Sequence, residues 1–319
     1  MKRILVTAEL PGEGFTKMVS ESGFEFRILN SGERSSIKKA VIDFQPHGLV
    51  TLLSDTVDRE LIDNCPELEA VSNYAAGYNN IDAAYCTEKG IAVTNTPDVL
   101  TDATADIAMM LILMASRRAC ESERFTRKGF FKGWKPDLFL GKSLAGKKLG
   151  ILGLGRIGCA TALRAKASGM DIIYWSSRKA PENIEDMLDA KFCGFDELIK
   201  SSDVISLHLP YVPALHHLIG EKEIAMMKSS VVIVNTARGQ LIDENALADA
   251  LTEKRVFAAG FDVYEKEPLI NEKLYGLENT VLLPHIGSAT EETRAEMAVM
   301  ALSDCMAVLN GKKPLNKVN

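Results

Sequence analysis

The expected fold follows from the segment Lys148-Leu149-Gly150-Ile151-Leu152-Gly153-Leu154-Gly155-Arg156-Ile157-Gly158. It begins with an apolar run typical of a buried strand and ends in the pattern G-x-G-x-x-G. A helix-compatible run, residues 160–168, follows almost at once. Glycines between a strand and a helix allow the backbone to approach a pyrophosphate at the helix N-terminus. This context predicts a dinucleotide-binding βαβ unit, whereas the pattern alone would also fit a glycine-rich turn that binds nothing.

The next predicted strand, Asp171–Trp175, ends in Ser176-Ser177-Arg178-Lys179. A dinucleotide site usually has an acid here, which bonds the ribose 2′-hydroxyl and repels a 2′-phosphate. Two hydroxyls and an arginine favour the phosphate instead, because charge-assisted hydrogen bonds contribute about 1.5–3 kcal/mol each. The sequence therefore predicts NADP(H) as the preferred cofactor. The alternative is NAD(H) held by other groups, with residues 176–179 forming a solvated basic turn.

Short β-rich runs separated by helical stretches continue on both sides of this unit. The first hundred residues contain such runs at 2–7, 25–29, 48–53, 68–73 and 91–94. Others follow at 204–207, 231–235, 258–262 and 280–283. This alternation is typical of parallel sheets covered by helices, and 319 residues exceed the usual size of one core. We therefore predict an α/β protein with two doubly wound parallel-sheet domains.

Two long helices are predicted between and after these runs. One covers residues 101 to about 118, and the other covers about 290 to 309. Residues 107–115 are apolar on every face, which predicts a helix buried on all sides, as where two domains pack. An ordinary core helix is compatible with the same pattern.

Composition excludes several classes of protein. The formal net charge is −6 without a basic stripe, which argues against nucleic-acid binding. The six cysteines contain no C-x-x-C pair, so we predict no metal site and favour a reducing compartment over disulfides. The longest apolar run is about half of a membrane span, and the short N-terminal run is no signal peptide. We expect a soluble, cytoplasmic protein.

Three further segments follow predicted strands at the edge where parallel sheets bind ligands. They are Thr236-Ala237-Arg238-Gly239, Val263-Tyr264-Glu265-Lys266-Glu267-Pro268 and Pro284-His285-Ile286-Gly287-Ser288. Arginine can bind a carboxylate through two hydrogen bonds, and histidine can supply a proton to a carbonyl oxygen near neutral pH. A glutamate on the other imidazole nitrogen would orient the ring and favour its protonated form. Arg238, Glu267 and His285 are therefore candidate catalytic groups for the reduction of a 2-keto acid.

Each of these residues has a second interpretation. Arg238 could be a structural cation of a phosphate loop, and His285 could be an ordinary core histidine. Glu265 could replace Glu267 as the partner of the histidine, although the proline after Glu267 favours a fixed turn there. His208 ends another predicted strand and could contact the cofactor, but it has no carboxylate neighbour in the local sequence.

The three segments closely resemble those of the D-isomer-specific 2-hydroxyacid dehydrogenases, and the resemblance covers essentially the whole chain. Within that family the chain is most similar to glyoxylate/hydroxypyruvate reductases, through Asn73-Tyr74-Ala75-Ala76-Gly77-Tyr78-Asn79-Asn80-Ile81-Asp82, Leu100-Thr101-Asp102-Ala103-Thr104-Ala105-Asp106 and Phe131-Lys132-Gly133-Trp134-Lys135-Pro136. Asn79-Asn80 departs from the close relatives, in which an Asp is expected. The resemblance implies NAD(P)H-dependent reduction of a small 2-keto acid, such as glyoxylate or hydroxypyruvate, to the D-2-hydroxy acid.

The resemblance also implies a role for each site residue. Arg238 would bind the carboxylate and polarise the carbonyl, and His285, paired with Glu267, would be the acid–base group. The substrate-binding set would be Ala76 and Gly77, through their backbone N–H groups, together with Arg238 and Ser288. Thr104 and Asp262 would hold the nicotinamide. The full predicted cofactor site is Gly153, Gly155, Arg156, Ile157, Gly158, Ser176, Ser177, Arg178, Thr104, Thr236, Ala237 and Asp262.

The same resemblance implies the domain organisation. Residues 1–100 plus 287–319 would form a flavodoxin-like substrate-binding domain, and residues 101–286 a Rossmann dinucleotide-binding domain. The cleft between them would close on the substrate. A homodimer is expected, with the apolar helix at 101–118 as a plausible contact.

Three other functions are compatible with parts of this pattern. A phosphoglycerate dehydrogenase would want extra cations in residues 74–82, which contain none. A 2-ketogluconate reductase would use the same catalytic groups on a longer keto acid. A non-catalytic corepressor or scaffold that senses a dinucleotide would not need Arg238, Glu267 and His285 together.

Overall fold

The computed structural model of the protein describes residues 1–30 and 37–319. These residues form two units, Met1–Leu100 with Ser288–Asn319, and Thr101–Gly287. Gly287 therefore belongs to the second unit, whereas the sequence analysis expected it in the first. The physical reason is that its amide N–H donates to Asp262 within the second unit.

The first unit contains a five-stranded parallel sheet of order β2-β1-β3-β4-β5. Its strands are β1 (Arg3–Val6), β2 (Glu25–Ile28), β3 (Gly48–Thr51), β4 (Ala70–Asn73) and β5 (Ala92–Thr94). Helices α1 (Glu13–Glu21), α2 (Ile37–Phe44), α3 (Arg59–Asp63), α4 (Ala83–Glu88) and the C-terminal α13 (Glu291–Leu309) accompany it. All residues of β3 and β4 are buried, as expected of central parallel strands covered on both faces. The strand order is that of flavodoxin-like doubly wound sheets.

The C-terminal helix α13 belongs to the core of the first unit although the second unit separates them in sequence. Thr290 caps it by accepting a hydrogen bond from the Thr293 amide. It packs on β3 so closely that a Cβ added at Gly48 would lie 2.5 Å from the Cys305 sulfur. Glycine is therefore required where the strand meets this helix.

The second unit contains a seven-stranded parallel sheet of order β12-β11-β10-β9-β6-β7-β8. Its strands are β6 (Lys148–Leu152), β7 (Asp171–Trp175), β8 (Ala190–Phe192), β9 (Val204–Leu207), β10 (Val232–Asn235), β11 (Ala258–Phe261) and β12 (Thr280–Leu282). Its helices are α5 (Thr101–Ser116), α6 (Ala119–Arg127), α7 (Arg156–Ala167), α8 (Glu182–Leu188), α9 (Phe195–Ser201), α10 (Glu221–Met226), α11 (Glu244–Thr252) and α12 (Glu272–Tyr275). Leaving out β12, the strand order is that of a Rossmann sheet. The predicted fold class is confirmed.

Helix α5 is less buried than its apolar sequence predicts. One side of it is exposed at Asp102, Asp106 and Leu113, and Leu113 is 44% exposed. The two aspartates form ion pairs with Arg164 of α7, at 3.0 and 2.6 Å. The prediction of a helix buried on all sides was therefore wrong, because Leu113 lies on the side of the helix that Asp102 and Asp106 expose to solvent.

Among the described residues, no helix is both long and apolar enough to cross a lipid bilayer.

Candidate active site

The glycine loop lies between β6 and α7 in the second unit. Gly153 has a φ of +99°, which glycine adopts without strain. A Cβ added at Gly158 would lie 2.2 Å from the Gly153 carbonyl oxygen, so α7 can pack against the loop only with a glycine there. At Gly155, by contrast, an added Cβ would meet no atom within 4 Å. The helix begins at Arg156, earlier than predicted, and its N-terminus faces this open position as a pyrophosphate requires.

The end of β7 lies against the glycine loop. The Leu154 amide donates to the Ser176 hydroxyl oxygen at 2.8 Å, which ties the loop to the strand end. Ser177, Arg178 and Lys179 follow and are exposed, and Lys179 is paired with Glu185 at 3.0 Å. The basic turn that the sequence predicts is therefore present beside the glycine loop.

Two polar atoms at the carboxyl ends of β9 and β10 are buried without a hydrogen-bond partner among the described residues. They are His208 Nδ1 and Thr236 Oγ1. The other ring nitrogen of His208 contacts the Ser206 hydroxyl at 2.8 Å, and desolvation lowers the pKa of His208 to about 4. Buried polar groups normally have partners. Unpartnered groups at this edge, next to an open glycine loop, fit a bound dinucleotide.

Asp262, directly after β11, is buried and shapes the histidine loop. Its two carboxylate oxygens accept hydrogen bonds from the Ile286 and Gly287 amides, both at 2.7 Å. Desolvation raises the pKa of Asp262, against the effect of these hydrogen bonds and of the nearby His285. Thr104 of α5 lies at the same place, since a Cβ added at Gly287 would be 3.1 Å from Asp262 and 3.3 Å from Thr104.

His285 and Glu267 form a hydrogen-bonded pair. His285 Nδ1 lies 2.7 Å from one oxygen of Glu267, and the other oxygen accepts the Tyr264 amide at 2.9 Å. Desolvation acts to raise the pKa of Glu267, but hydrogen bonds from His285 and Tyr264 and the charge of Arg238 outweigh it and hold the pKa below its ordinary value. Glu265, the alternative partner, contacts His217 instead, at 3.2 Å.

The backbone of His285 is in the left-handed region, with a φ of +55°. This conformation costs an L-residue roughly 1–2 kcal/mol. The hydrogen bonds from the next two amides to Asp262, and the Glu267 contact, hold the residue in it. Strain of this kind is common where a side chain must be aimed at a ligand.

Arg238 lies in the turn after β10. Asn235 shapes this turn by donating to the Arg238 carbonyl at 2.9 Å and accepting the Ala237 amide at 3.0 Å. The turn packs against Tyr264, since a Cβ added at Gly239 would lie 1.9 Å from the Tyr264 carbonyl carbon. Burial lowers the pKa of Arg238, and the charge of Glu267 opposes this. Arg238 and His285 therefore both interact with Glu267.

Two residues of this site were missed in the sequence analysis. Asn235 was taken only as the last residue of a strand. Glu244, in the first turn of α11, is 5% exposed and accepts the Glu265 amide at 2.7 Å, so it fixes the backbone of the loop that carries Glu267. A glutamate in the first turn of a helix normally indicates only a favourable interaction with the helix dipole, and nothing in the sequence shows that Glu244 is buried.

The remaining predicted substrate residues belong to the first unit. The carbonyl oxygens of Ala76 and Gly77 accept side-chain hydrogen bonds from Asn95 and Asn73, at 2.6 and 2.8 Å. Their amide N–H groups have no hydrogen-bond partner among the described residues. Ser288 is the first residue of the C-terminal segment of this unit.

The hydrogen bonds of the Asn80 side chain account for an asparagine at this position, where the sequence pattern of the close relatives led us to expect an aspartate in Asn79-Asn80. Its amide donates to the carbonyls of Leu52 and Asp55, at 3.1 and 2.9 Å, and an aspartate could not donate there.

Comparison with known proteins gives consistent results. Residues 109–287 match the family described as D-isomer specific 2-hydroxyacid dehydrogenase, NAD binding domain. The glyoxylate reductase of Thermococcus litoralis is 45% identical, over 99% of this chain and 96% of that protein. The crystal structure of a glyoxylate reductase from Paecilomyes thermophila has a TM-score of 0.88 at 37% identity, covering 99% of this chain and 98% of that one. An NADPH-dependent glyoxylate/hydroxypyruvate reductase from Sinorhizobium meliloti, in complex with NADP and malonate, has a TM-score of 0.87 at 29% identity, covering 99% and 96%.

Proposed function

Because the chain belongs to the D-isomer-specific 2-hydroxyacid dehydrogenases, a family of nicotinamide-dependent oxidoreductases, we propose that it reduces glyoxylate or hydroxypyruvate to the corresponding 2-hydroxy acid. The match extends over nearly the full length of both this chain and the glyoxylate reductases, which supports a shared reaction. The resemblance recognised in the sequence is thereby confirmed.

His285 is proposed as the proton donor. Glu267 occupies its Nδ1 at 2.7 Å, so Nε2 is the nitrogen that is left to face a substrate. A nicotinamide dinucleotide held by the glycine loop would supply the hydride that the carbonyl carbon takes up. His285 Nε2–H gives its proton to the carbonyl oxygen, the C=O π bond breaks, and a hydroxyl group forms. A positioned general acid of this kind contributes on the order of 10²–10⁴ in rate.

The observation that carries this proposal is that Glu267 interacts with His285 through a hydrogen bond and with Arg238 through its charge. An ionised carboxylate beside the imidazole stabilises the protonated ring that reduction requires. The same carboxylate interacts with a guanidinium that burial has largely removed from water. In such surroundings a cation attracts a substrate carboxylate more strongly than it would in bulk solvent.

Arg238 is proposed to bind the substrate carboxylate and to polarise its carbonyl. The net charge of −6 gives the whole surface no attraction for an anion, so a local cation has to provide it. In the first unit, we propose that the amides of Ala76 and Gly77, together with Ser288, complete the substrate site. This makes Met1–Leu100 with the C-terminal segment the substrate-binding unit, and Thr101–Gly287 the cofactor-binding unit.

The cofactor is proposed to be NADP(H) in preference to NAD(H). The glycine loop would hold the pyrophosphate, Thr236, Ala237, Asp262 and Thr104 would lie along the nicotinamide half, and Ser177 and Arg178 would bind the 2′-phosphate. No carboxylate stands at position 176 to repel that phosphate. Ser176→Asp keeps an acceptor for the Leu154 amide while adding a negative charge, so it should shift the ratio of kcat/KM for NADPH over NADH toward NADH by roughly tenfold or more. An unchanged ratio would contradict the assignment of the 2′-phosphate to this turn.

A homodimer is proposed from exposed apolar side chains in the segment after α6. Phe130, Phe131, Trp134 and Leu140 are 57%, 54%, 82% and 64% exposed. These four large apolar side chains lie within eleven residues of one another in sequence, and exposed apolar surface often marks a site of protein–protein contact. Light scattering should give about twice the chain mass of 34.9 kDa, and a monomer at micromolar concentration would refute the dimer.

The reductase activity is tested by following NADPH and NADH oxidation with glyoxylate, hydroxypyruvate, 2-ketogluconate and pyruvate. The highest kcat/KM is expected with glyoxylate or hydroxypyruvate. A clear preference for 2-ketogluconate would favour that second reductase function. No turnover with any keto acid, combined with tight dinucleotide binding, would favour a non-catalytic role.

A further inference from the structure

The unit Thr101–Gly287 also contains a cluster of two histidines and one glutamate, His216, His217 and Glu265. The two imidazole rings stack with centroids 3.9 Å apart and planes at 21°. His217 Nε2 lies 3.2 Å from a Glu265 oxygen. One nitrogen of each histidine and one oxygen of the glutamate lie within 4.8 Å of one another. The proposed hydride transfer uses none of these side chains.

The spacing of these atoms suits a small transition-metal ion. Zinc binds imidazole nitrogen and carboxylate oxygen at about 2.0–2.2 Å in tetrahedral geometry, so neighbouring ligand atoms lie about 3.3 Å apart. The contact between His217 and Glu265 already has this length. His216 has to move inward, and it can do so because it is exposed and its contact with the Tyr211 hydroxyl, at 3.5 Å, is at the limit of a hydrogen bond.

The surroundings hold the other two ligands in place. The second nitrogen of His217, Nδ1, lies 3.9 Å from the Asp243 carboxylate, which is too far for a direct hydrogen bond but close enough for electrostatic attraction. The Glu265 backbone is fixed on both sides, since its amide donates to Glu244 at 2.7 Å and its carbonyl accepts from Gln240 at 2.9 Å. Glu265 therefore needs little reorganisation to bind a metal, and His216 is the ligand that has to move.

We propose that His216, His217 and Glu265 form a binding site for a divalent transition-metal ion such as Zn²⁺, with water completing the coordination. Two imidazoles and one carboxylate favour zinc, cobalt or nickel over magnesium and calcium, which prefer oxygen ligands. The chain order hides this site, because Glu265 comes from the loop after β11 and the histidines from the segment after β9. Because the cysteines contain no C-x-x-C pair, the sequence alone predicted no metal.

The test is a titration of the purified full-length protein with Co²⁺, without dinucleotide or keto acid. One equivalent should give the visible absorption of four-coordinate cobalt without a thiolate charge-transfer band, and Zn²⁺ should displace it. His217→Asn, which tolerates the left-handed backbone at this position, and Glu265→Gln should each weaken Co²⁺ binding by roughly 10- to 100-fold or more. His47→Gln is the matched control, because His47 lies in the other unit and accepts the Arg3 amide.

The variants distinguish metal binding at this cluster from binding elsewhere in the protein. Loss of binding in His217→Asn and Glu265→Gln, with His47→Gln unaffected and circular dichroism unchanged in all three, supports the site. Absence of one-equivalent binding, or binding lost in His285→Gln but kept in His217→Asn, overturns it. Since no substrate is present, either result leaves the proposed reductase activity to its own test.

Discussion

At the scale of single residues, the proposed chemistry depends most on Glu267. Its two oxygens are both engaged, one by His285 at 2.7 Å and one by the Tyr264 amide at 2.9 Å. Glu267→Gln keeps the size of the side chain but removes the charge that stabilises a protonated imidazole. We expect kcat for glyoxylate reduction to fall on the order of 10²- to 10⁴-fold, measured by steady-state NADPH oxidation.

A matched control for this variant is Glu253→Gln. Glu253 is exposed and paired with Arg255 at 2.7 Å, away from the loop that carries Glu267. The control should keep kcat within about twofold, because exposed ion pairs contribute little. Wild-type turnover in Glu267→Gln would show that the charge of this glutamate is not needed.

His208 gives a prediction about pH and stability. Desolvation lowers its pKa to about 4 in the folded protein, whereas an unfolded chain has a histidine pKa of about 6.5. The unfolded state therefore binds more protons between these values. Above pH 6.5, His208 is neutral in both states and does not affect the free energy of unfolding. As the pH falls from 6.5 toward 4, protonation of His208 in the unfolded state lowers the free energy of unfolding by about 3 kcal/mol at most.

His208→Gln removes this titration while leaving a polar group near Ser206. The variant's melting temperature should fall less steeply than that of the wild type between pH 6.5 and 4.5, as followed by circular dichroism. Parallel curves for the two proteins would mean that His208 does not titrate in this way.

The sequence was sufficient to propose the candidate catalytic residues, but it did not reveal all the residues that hold their backbone in place. Arg238, Glu267 and His285 stand out because their residue types and their positions after parallel strands agree. The choice between Glu267 and Glu265 depends on which carboxylate the loop turns toward His285, and that follows from tertiary packing. Glu244 and Asn235 act by holding backbone groups, and a single sequence carries no signal for such contacts.

At the scale of elements, the glycine loop gives the sharpest prediction. An added methyl group meets open space at Gly155 but would lie 2.2 Å from the Gly153 carbonyl oxygen at position 158. Gly155→Ala should therefore leave the melting temperature nearly unchanged while weakening NADPH binding, because the methyl group occupies the space proposed for the pyrophosphate. Gly158→Ala should destabilise the fold itself, by about 1–3 kcal/mol.

Fluorescence titration with NADPH and thermal unfolding of the two variants measure these effects separately. If Gly155→Ala bound NADPH as tightly as the wild type, the glycine loop would not be the pyrophosphate site.

Elements with strong patterns were predicted well, and weaker ones were not. Strands β7 and β9 match their predicted bounds, because each is a compact apolar run with a clear stop. Strand β8 was missed, since it has three residues at the sheet edge and two of them are exposed. The start of α7 was placed too late because glycine usually ends helices, whereas here packing against the loop requires one inside the first turn.

At the scale of the whole molecule, the residues proposed for catalysis and those proposed as backbone donors to the substrate belong to different units. The candidate acid, its carboxylate partner and the carboxylate-binding arginine all lie in Thr101–Gly287, on loops after adjacent strands. The proposed backbone donors to the substrate lie in the other unit. With a net charge of −6, recognition of an anionic keto acid has to be local, and we propose Arg238 and the amides of residues 76–77 as the groups that provide it.

The most direct measurement compares wild type and His285→Gln for glyoxylate-dependent NADPH oxidation and for the Kd of NADPH. If His285 delivers the proton, kcat should fall on the order of 10²- to 10⁴-fold while the Kd for NADPH stays within about threefold. A variant that keeps its turnover, or that loses NADPH affinity as severely as it loses kcat, would contradict the assignment of His285 as the general acid.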